Sequence, residues 1–164
     1  MKKIYVIGAS GLIGYSLYRN LLKKKLEVIG TYSKNKEENL IHFDILSSNY
    51  EIFNNIHEDD VIFFMTAYSN PNWISKNKEQ SKLLNLDMTK KLIKFLSPKN
   101  PKFIFMSSVE VFDGAKGEYS ENDLPNPLNY YGSLKLEIEI YLKNNYRNFC
   151  IVRTGWNVGL NKKS

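Results

Sequence analysis

The chain has 164 residues, 43% of them hydrophobic, and a formal net charge of +6 from 23 basic and 17 acidic side chains. At this length about two-thirds of the unfolded surface is buried around one core, so residues 1–164 are expected to form one domain and a second full domain is excluded. The positive balance comes from 20 Lys against 3 Arg scattered among 19 Asn, which argues against a nucleic-acid reader, and no run nears the ~20 apolar residues of a membrane span.

The N-terminus passes from two lysines straight into "IYVIG" at 4–8, a strand by composition, without the apolar region of a signal peptide. "GASGLIGY" then follows at once and opens a helix over Leu12 to Lys25. Gly8, Gly11 and Gly14 are spaced so that the backbone turns tightly and approaches a pyrophosphate, with Ser10, Leu12 and Ile13 in the same turn. Free amides and the positive dipole end of the helix suit phosphate. Ordinary turn and helix-packing glycines are the alternative, and the position at the first strand-to-helix turn favours the dinucleotide reading. Lys23 to Lys25, the one basic block, fall at the end of this helix, where cations complement its dipole.

The second strand, "LEVIGTY" at 26–32, runs on into Ser33 and Lys34. An NAD-selective site carries an acid here to bond the ribose 2′-hydroxyl and repel a 2′-phosphate. Thr31, Tyr32, Ser33 and Lys34 offer hydroxyls and an ammonium instead, which favours NADP(H) over NAD(H). Further strands are expected at "LIHFDI" (40–45), "VIFFM" (61–65), "KFIFMSS" (102–108) and "FCIVRT" (149–154), with helices over Tyr50 to Ile56, Glu79 to Leu96 and Tyr131 to Asn145. Six strands alternating with helices call for a mostly parallel sheet covered on both faces, an α/β fold. The irregular stretch 114–129, with Pro125 and Pro127, is long for a simple connection and marks a candidate functional loop. The lone cysteine, Cys150, lies within "FCIV" and reads as a buried structural thiol, in keeping with a reducing, cytoplasmic setting. No metal is expected.

"YYGSLK" at 130–135 sets a phenol and an ammonium, Tyr131 and Lys135, four residues apart. A chain with 11 Tyr and 20 Lys contains about one such spacing by chance, and Tyr32 with Lys36 is a second, so context must decide. On a helix the two share a face. A phenol of pKa ~10 exchanges protons poorly near neutrality, and lowering it by about three units takes roughly 4 kcal/mol, which a neighbouring ammonium and an oxidised nicotinamide are suited to supply.

Taken together and in order, "GASGLIG", "FDI", "SSVEVFDG" and "YSENDLPNPLNYYGSLKLEIE" resemble an extended short-chain dehydrogenase/reductase over residues 4 to 160, nearest to the dTDP-4-dehydrorhamnose reductase branch through "VFDG" at Val111 to Gly114. The resemblance implies a Rossmann-type doubly wound sheet. It makes Ser108 the catalytic hydroxyl and Tyr131 and Lys135 the acid/base pair. Asp44 and Ile45 would flank the adenine, and Met65, Thr66 and Ala67 would line the path to the nicotinamide ribose. The family usually has Asn-Ala-Ala at those three positions, a departure that touches the fine contacts. Asn85 matches a family asparagine and is read as structural. Related dehydratases carry Asp-Glu where this chain has Val109-Glu110; without the acid, elimination is disfavoured and reduction or epimerisation preferred.

The family continues past "RTGWNVG" into a smaller portion that closes over a sugar nucleotide, whereas this sequence stops at Ser164. A fragment, a site completed by a second chain or a second copy, and a protein that only binds cofactor all stay open. Two functions follow as expectations. One is an NADP-dependent reductase of a nucleotide-linked keto sugar. The other is a cofactor-binding regulatory module resembling the regulatory subunit of methionine adenosyltransferase.

Overall fold

A computed structural model describes residues 2–155 and 157; within "RTGWNVG", Trp156, Val158 and Gly159 lie outside the described residues. The strands are β1 (Ile4–Ile7), β2 (Val28–Tyr32), β3 (Ile41–His42), β4 (Val61–Phe64), β5 (Lys102–Ser108) and β6 (Phe149–Thr154). They form one sheet in the order β3-β2-β1-β4-β5-β6, parallel at every step. This is the Rossmann-type order, and the chain reverses its direction of winding between β1 and β4, where such sheets open a ligand crevice beyond the carboxyl ends of the strands. The helices are α1 (Leu12–Lys23), α2 (Pro71–Lys76), α3 (Lys78–Lys82), α4 (Thr89–Leu96) and α5 (Tyr130–Asn145).

Strands β1 and β4 read as unbroken apolar runs, IYVI and VIFF, because both of their faces are covered. On one face Tyr5, Ile7, Ile62, Phe64, Phe103 and Phe105 meet Leu92, Ile93 and Leu96 of α4 and Leu134, Ile138 and Leu142 of α5. On the other, Ile4, Val6 and Val61 meet Tyr18 of α1. Gly30 of β2 lets that tyrosine lie close, since a β-carbon there would stand 2.8 Å from its ring.

Four expectations are corrected. Cys150 is exposed: it lies on β6, the last strand of the sheet among the described residues, in register with Ile104 of β5. The helix expected over Tyr50 to Ile56 shrinks to a 3-10 turn, Glu51–Phe53, because Phe53 and Ile56 reach the core without it and Asn54 and Asn55 propagate a helix poorly. The third strand keeps only Ile41 and His42 before Asp44 caps a second 3-10 turn. The long helix expected from Glu79 starts at Lys78 and is interrupted by a π-turn over Leu83–Met88, where the Thr89 hydroxyl donates to the Leu84 carbonyl at 3.1 Å. The short α2 escaped the periodicity argument, although Asn70 as cap and Pro71 in the first turn announce it. No helix among the described residues is long and apolar enough to cross a membrane.

Candidate active site

The glycine turn joins β1 to α1 and is built almost wholly of backbone. Gly8 has φ +90°, a conformation that side chains resist, and a β-carbon there would stand 2.9 Å from the Thr66 hydroxyl oxygen. At Gly14 a β-carbon would stand 2.2 Å from the Gly8 carbonyl oxygen, so the first turn of α1 lies directly on the end of β1. The Gly8 amide donates to the Thr31 hydroxyl at 3.0 Å and the Ser10 amide to the Thr31 carbonyl at 3.3 Å. Buried Thr31 thus clamps the turn to β2. Gly11 is the exposed N-cap of α1 and no side chain caps the helix, so the amide end that holds Leu12 and Ile13 opens to solvent. These features fit a diphosphate: a close backbone, a helix dipole and no competing carboxylate.

Around the turn, Tyr32 meets His42 edge-on at 5.3 Å, Ser33 is exposed, and the Lys34 ammonium sits 5.5 Å over the Tyr68 ring. Asp44 uses one carboxylate oxygen to accept the Leu46 amide at 3.0 Å, while Ile45 sends its side chain into the core. Met65 and Ala67, beside Thr66, are half-buried where β4 ends. The next residue, Tyr68, is held by Asn85: the side-chain oxygen accepts the Tyr68 amide at 2.9 Å and its nitrogen donates to the Tyr68 carbonyl at 2.8 Å. The structural role read for Asn85 is therefore specific, a clamp from the π-turn onto the segment after β4.

The second half of the site lies after β5. Ser108 is buried, and its hydroxyl accepts the Glu110 amide at 3.2 Å, capping the 3-10 turn Val109–Val111. Asn129 caps α5 by accepting the Gly132 amide at 2.8 Å and donates to the Glu110 carboxylate at 2.7 Å. A β-carbon on Gly132 would stand 2.1 Å from the Glu110 carbonyl oxygen. Glycine at 132 is thus what lets the first turn of α5, with Tyr131, press against the turn that Ser108 caps. The sequence reading passed over Gly132 and Asn129, although an Asn directly before a helical run is a capping signal.

Tyr131 and Lys135 are brought together, with the ammonium 5.5 Å from the phenol ring centroid. Lys135 is only 3% exposed. Its amine donates to the Met106 carbonyl at 2.8 Å and lies 4.7 Å over the Phe105 ring. Burial pushes its pKa down to about 7, opposed by the Glu139 carboxylate. The Tyr131 hydroxyl moves opposite to the sequence argument: burial first, and the Glu110 charge second, push it up to about 12. The reason is geometric. Lys135 faces the ring and a carbonyl, and half of its charge is lost near neutrality. The chain's own groups therefore keep the phenol protonated.

Beside this centre a cavity of about 620 Å³ is lined by Glu110, Phe112, Tyr119, Leu128, Asn129 and Arg153, among others. The loop 113–129 forms its wall, held by Tyr119 stacked on Phe112 at 4.3 Å, by a hydrogen bond from Tyr119 to Asp113 and by the Lys116–Asp123 ion pair. Hydrogen bonds to Asp113, the one from Tyr119 foremost, hold its carboxyl down at about 2. Among the described residues no cluster of His, Cys, Asp and Glu is suited to a metal ion.

Comparison with known proteins shows which family this chain belongs to. The family described as the RmlD substrate binding domain matches residues 1–164. The bovine methionine adenosyltransferase 2 subunit beta is 30% identical over 147 residues, covering 88% of this chain and 44% of that protein. A hypothetical dTDP-4-dehydrorhamnose reductase from Sulfolobus tokodaii superposes with a TM-score of 0.80 at 28% identity, over 94% of this chain and 56% of that one. The UDP-glucuronic acid 4-epimerase from Bacillus cereus, solved with UDP-glucuronic acid and NAD, gives 0.78 at 27%, over 92% and 55%. The chain thus spans about half the length of the proteins it matches.

Proposed function

Because this chain belongs to the family described as the RmlD substrate binding domain, we propose that it is the cofactor half of an NADP-dependent reductase of a nucleotide-linked keto sugar. What carries this reading is the buried Lys135 beneath Tyr131, one helical turn apart and pressed against the turn capped by Ser108.

Gly8, Ser10, Gly11, Leu12, Ile13 and Gly14 would hold the diphosphate. Tyr32, Ser33 and Lys34 would meet the 2′-phosphate, Asp44 and the Ile45 backbone the adenine, and Met65, Thr66 and Ala67 the second ribose. A bound nicotinamide supplies a hydride to a ketone carbon. Before that transfer Ser108 would orient the ketone oxygen by a hydrogen bond. Tyr131 gives that oxygen its proton; burial makes its phenol a weaker acid in the chain alone, so the role depends on a neighbouring positive charge, from Lys135 and a bound oxidised nicotinamide, to draw the pKa back down. Lys135 holds Tyr131 in place and, through its charge, eases the loss of that proton. Val109 stands where a dehydratase carries its acid, which leaves reduction as the reading and epimerisation as its nearest variant.

The test is oxidation of NADPH with dTDP-4-keto sugars, by this chain and with the remainder of a relative supplied. Tyr131→Phe should lower turnover on the order of 10²-fold or more while leaving NADPH binding intact. No oxidation by either form rejects the reductase. Parallel titrations decide the cofactor: equal affinity for NADH and NADPH rejects the phosphate pocket at Ser33 and Lys34.

A second reading has its own support. The bovine relative is named as a subunit of an adenosyltransferase, and Leu124 and Leu128 stand 88% and 75% exposed on the loop beside the cavity. On this reading the chain binds cofactor and docks on another protein without turning over a substrate. Cofactor binding and a stable complex, with no activity in any form, would favour it.

A further inference from the structure

The face of α5 that carries Tyr131 and Lys135 continues one turn further to Glu139, a carboxylate with 0% exposure. A charge so placed is costly unless it is paired and hydrogen-bonded. Its Oε1 accepts the Ser107 hydroxyl at 2.5 Å and Arg153 Nε at 3.0 Å, and its Oε2 accepts Arg153 Nη2 at 2.6 Å. The Arg153 guanidinium, itself largely buried, lies 4.8 Å over the Phe112 ring. Three groups of alternating sign, Lys135, Glu139 and Arg153, therefore stand in a row behind the phenol, in a region that water barely reaches.

We propose that Glu139 is a positioning residue that acts through Lys135: its carboxylate, fixed by Arg153 and Ser107, favours the ammonium form of the Lys135 amine beside Tyr131 against the cost of burial, and Arg153 limits how strongly. This inference rests on the reading of Tyr131 and Lys135 as the acid/base pair. Every group facing Lys135 fits the assignment. From α5 the Tyr131 ring lies beside it and Glu139 stands one helical turn further on, near enough to act through its charge; from β5 come the uncharged Met106 carbonyl and Phe105 ring. Arg153 comes from β6 behind Glu139, and Glu110, in the turn after β5, acts on Tyr131. Glu139 is thus the anion that counters burial at Lys135. Taking both of its oxygens, Arg153 draws part of that field away from the amine.

The signs make the idea testable without cofactor. Lysine-selective isotope labelling allows the Lys135 amine to be titrated by NMR, its signal identified by loss in Lys135→Arg. Glu139→Gln removes the anion and leaves the Arg153 charge, so the midpoint should fall by about one pH unit or more. Glu139→Gln combined with Arg153→Met removes both charges and should bring the midpoint part of the way back. A merely structural role has no reason to produce that order. Equal midpoints in wild type and Glu139→Gln overturn the proposal. Should the single variant fail to fold, the double variant, which buries no unpaired charge, decides alone: a midpoint at or above that of wild type overturns the proposal, and one below supports it. NADPH titration of the same samples separates the two readings. An unshifted Lys135 in a protein that binds NADPH sinks this inference alone. The ordered shifts in a protein that binds no NADPH leave the charge row standing and sink the cofactor role.

Discussion

The glycine turn after β1 and the Tyr131–Lys135 end after β5 are the two halves of the proposed site, yet they are made of different materials. The turn is backbone: Gly8 at φ +90°, Gly14 against the Gly8 carbonyl, and one hydroxyl, Thr31, fastening it to the sheet. The β5 end is a set of titratable groups taken out of water, Lys135 and Glu139 above all, with Tyr131 half in it. The Gly8–Gly14 approach is settled within one short stretch of chain, with Thr31 and Thr66 closing on it from the ends of β2 and β4. The charges at the β5 end are settled by partners 14 and 32 positions away, Arg153 and Ser107 for Glu139, because in a dry interior each charge depends on every neighbour.

Substitution at the two close approaches tests that contrast hardest. Gly14→Ala and Gly132→Ala each drive a β-carbon into a backbone carbonyl, and each should cost about 3 kcal/mol in urea denaturation. Gly14→Ala should disturb the turn and Gly132→Ala the acid/base end. A cost below about 1 kcal/mol at Gly14 would mean that the glycine turn yields freely, and the contrast between a rigid turn and a charge-governed end would fail.

The next effect is on pH dependence. Lys135 titrates near 7 when folded against 10.5 ordinarily, so between those values the unfolded chain binds more protons and stability rises with pH. Tyr131 titrates near 12 against 10.0, so the folded chain holds more protons above 10 and stability falls there. Urea midpoints from pH 6 to 11 should show a rise that Lys135→Met removes, and a late decline, shared with the buried Tyr146, Tyr5 and Tyr50 whose hydroxyls burial also pushes up, that Tyr131→Phe lessens. A flat wild-type profile would show that the amine is not desolvated as its burial requires.

Smaller effects sharpen the comparison. Thr31→Val leaves the Gly8 amide without its acceptor and should cost about 1–2 kcal/mol, weakening NADPH binding while the Lys135 titration stays put. Cys150→Ser should change stability by less than about 0.5 kcal/mol, and the native thiol should alkylate at the rate of a free one. Slow alkylation would restore the buried thiol.

Legibility followed the same division. "GASGLIG" announced its turn because three glycines at fixed spacing have few other uses directly after a strand. Tyr131 and Lys135 announced a shared face because four residues make about one helical turn. Gly132 stayed hidden, since its use depends on the Glu110 carbonyl arriving from another element. Cys150 was misread for a related reason: "FCIV" is apolar enough for a core, and only the position of β6, last in the sheet among the described residues, leaves it uncovered. The expected lowering of the phenol rested on Lys135 together with an oxidised nicotinamide; the chain's own groups push the other way, because helical spacing fixes which residues are neighbours and not where a flexible amine points.

From the sequence alone came the alternating parallel fold, the family resemblance, the glycine turn and the acid/base pair, all matters of periodicity and short-range spacing. The tertiary structure alone decided which way the Tyr131 and Lys135 protons are biased, which carboxylate stands behind the amine, and which strand stands last in the sheet among the described residues. Those outcomes depend on desolvation and on charges brought together from distant parts of the chain, and no local pattern encodes either.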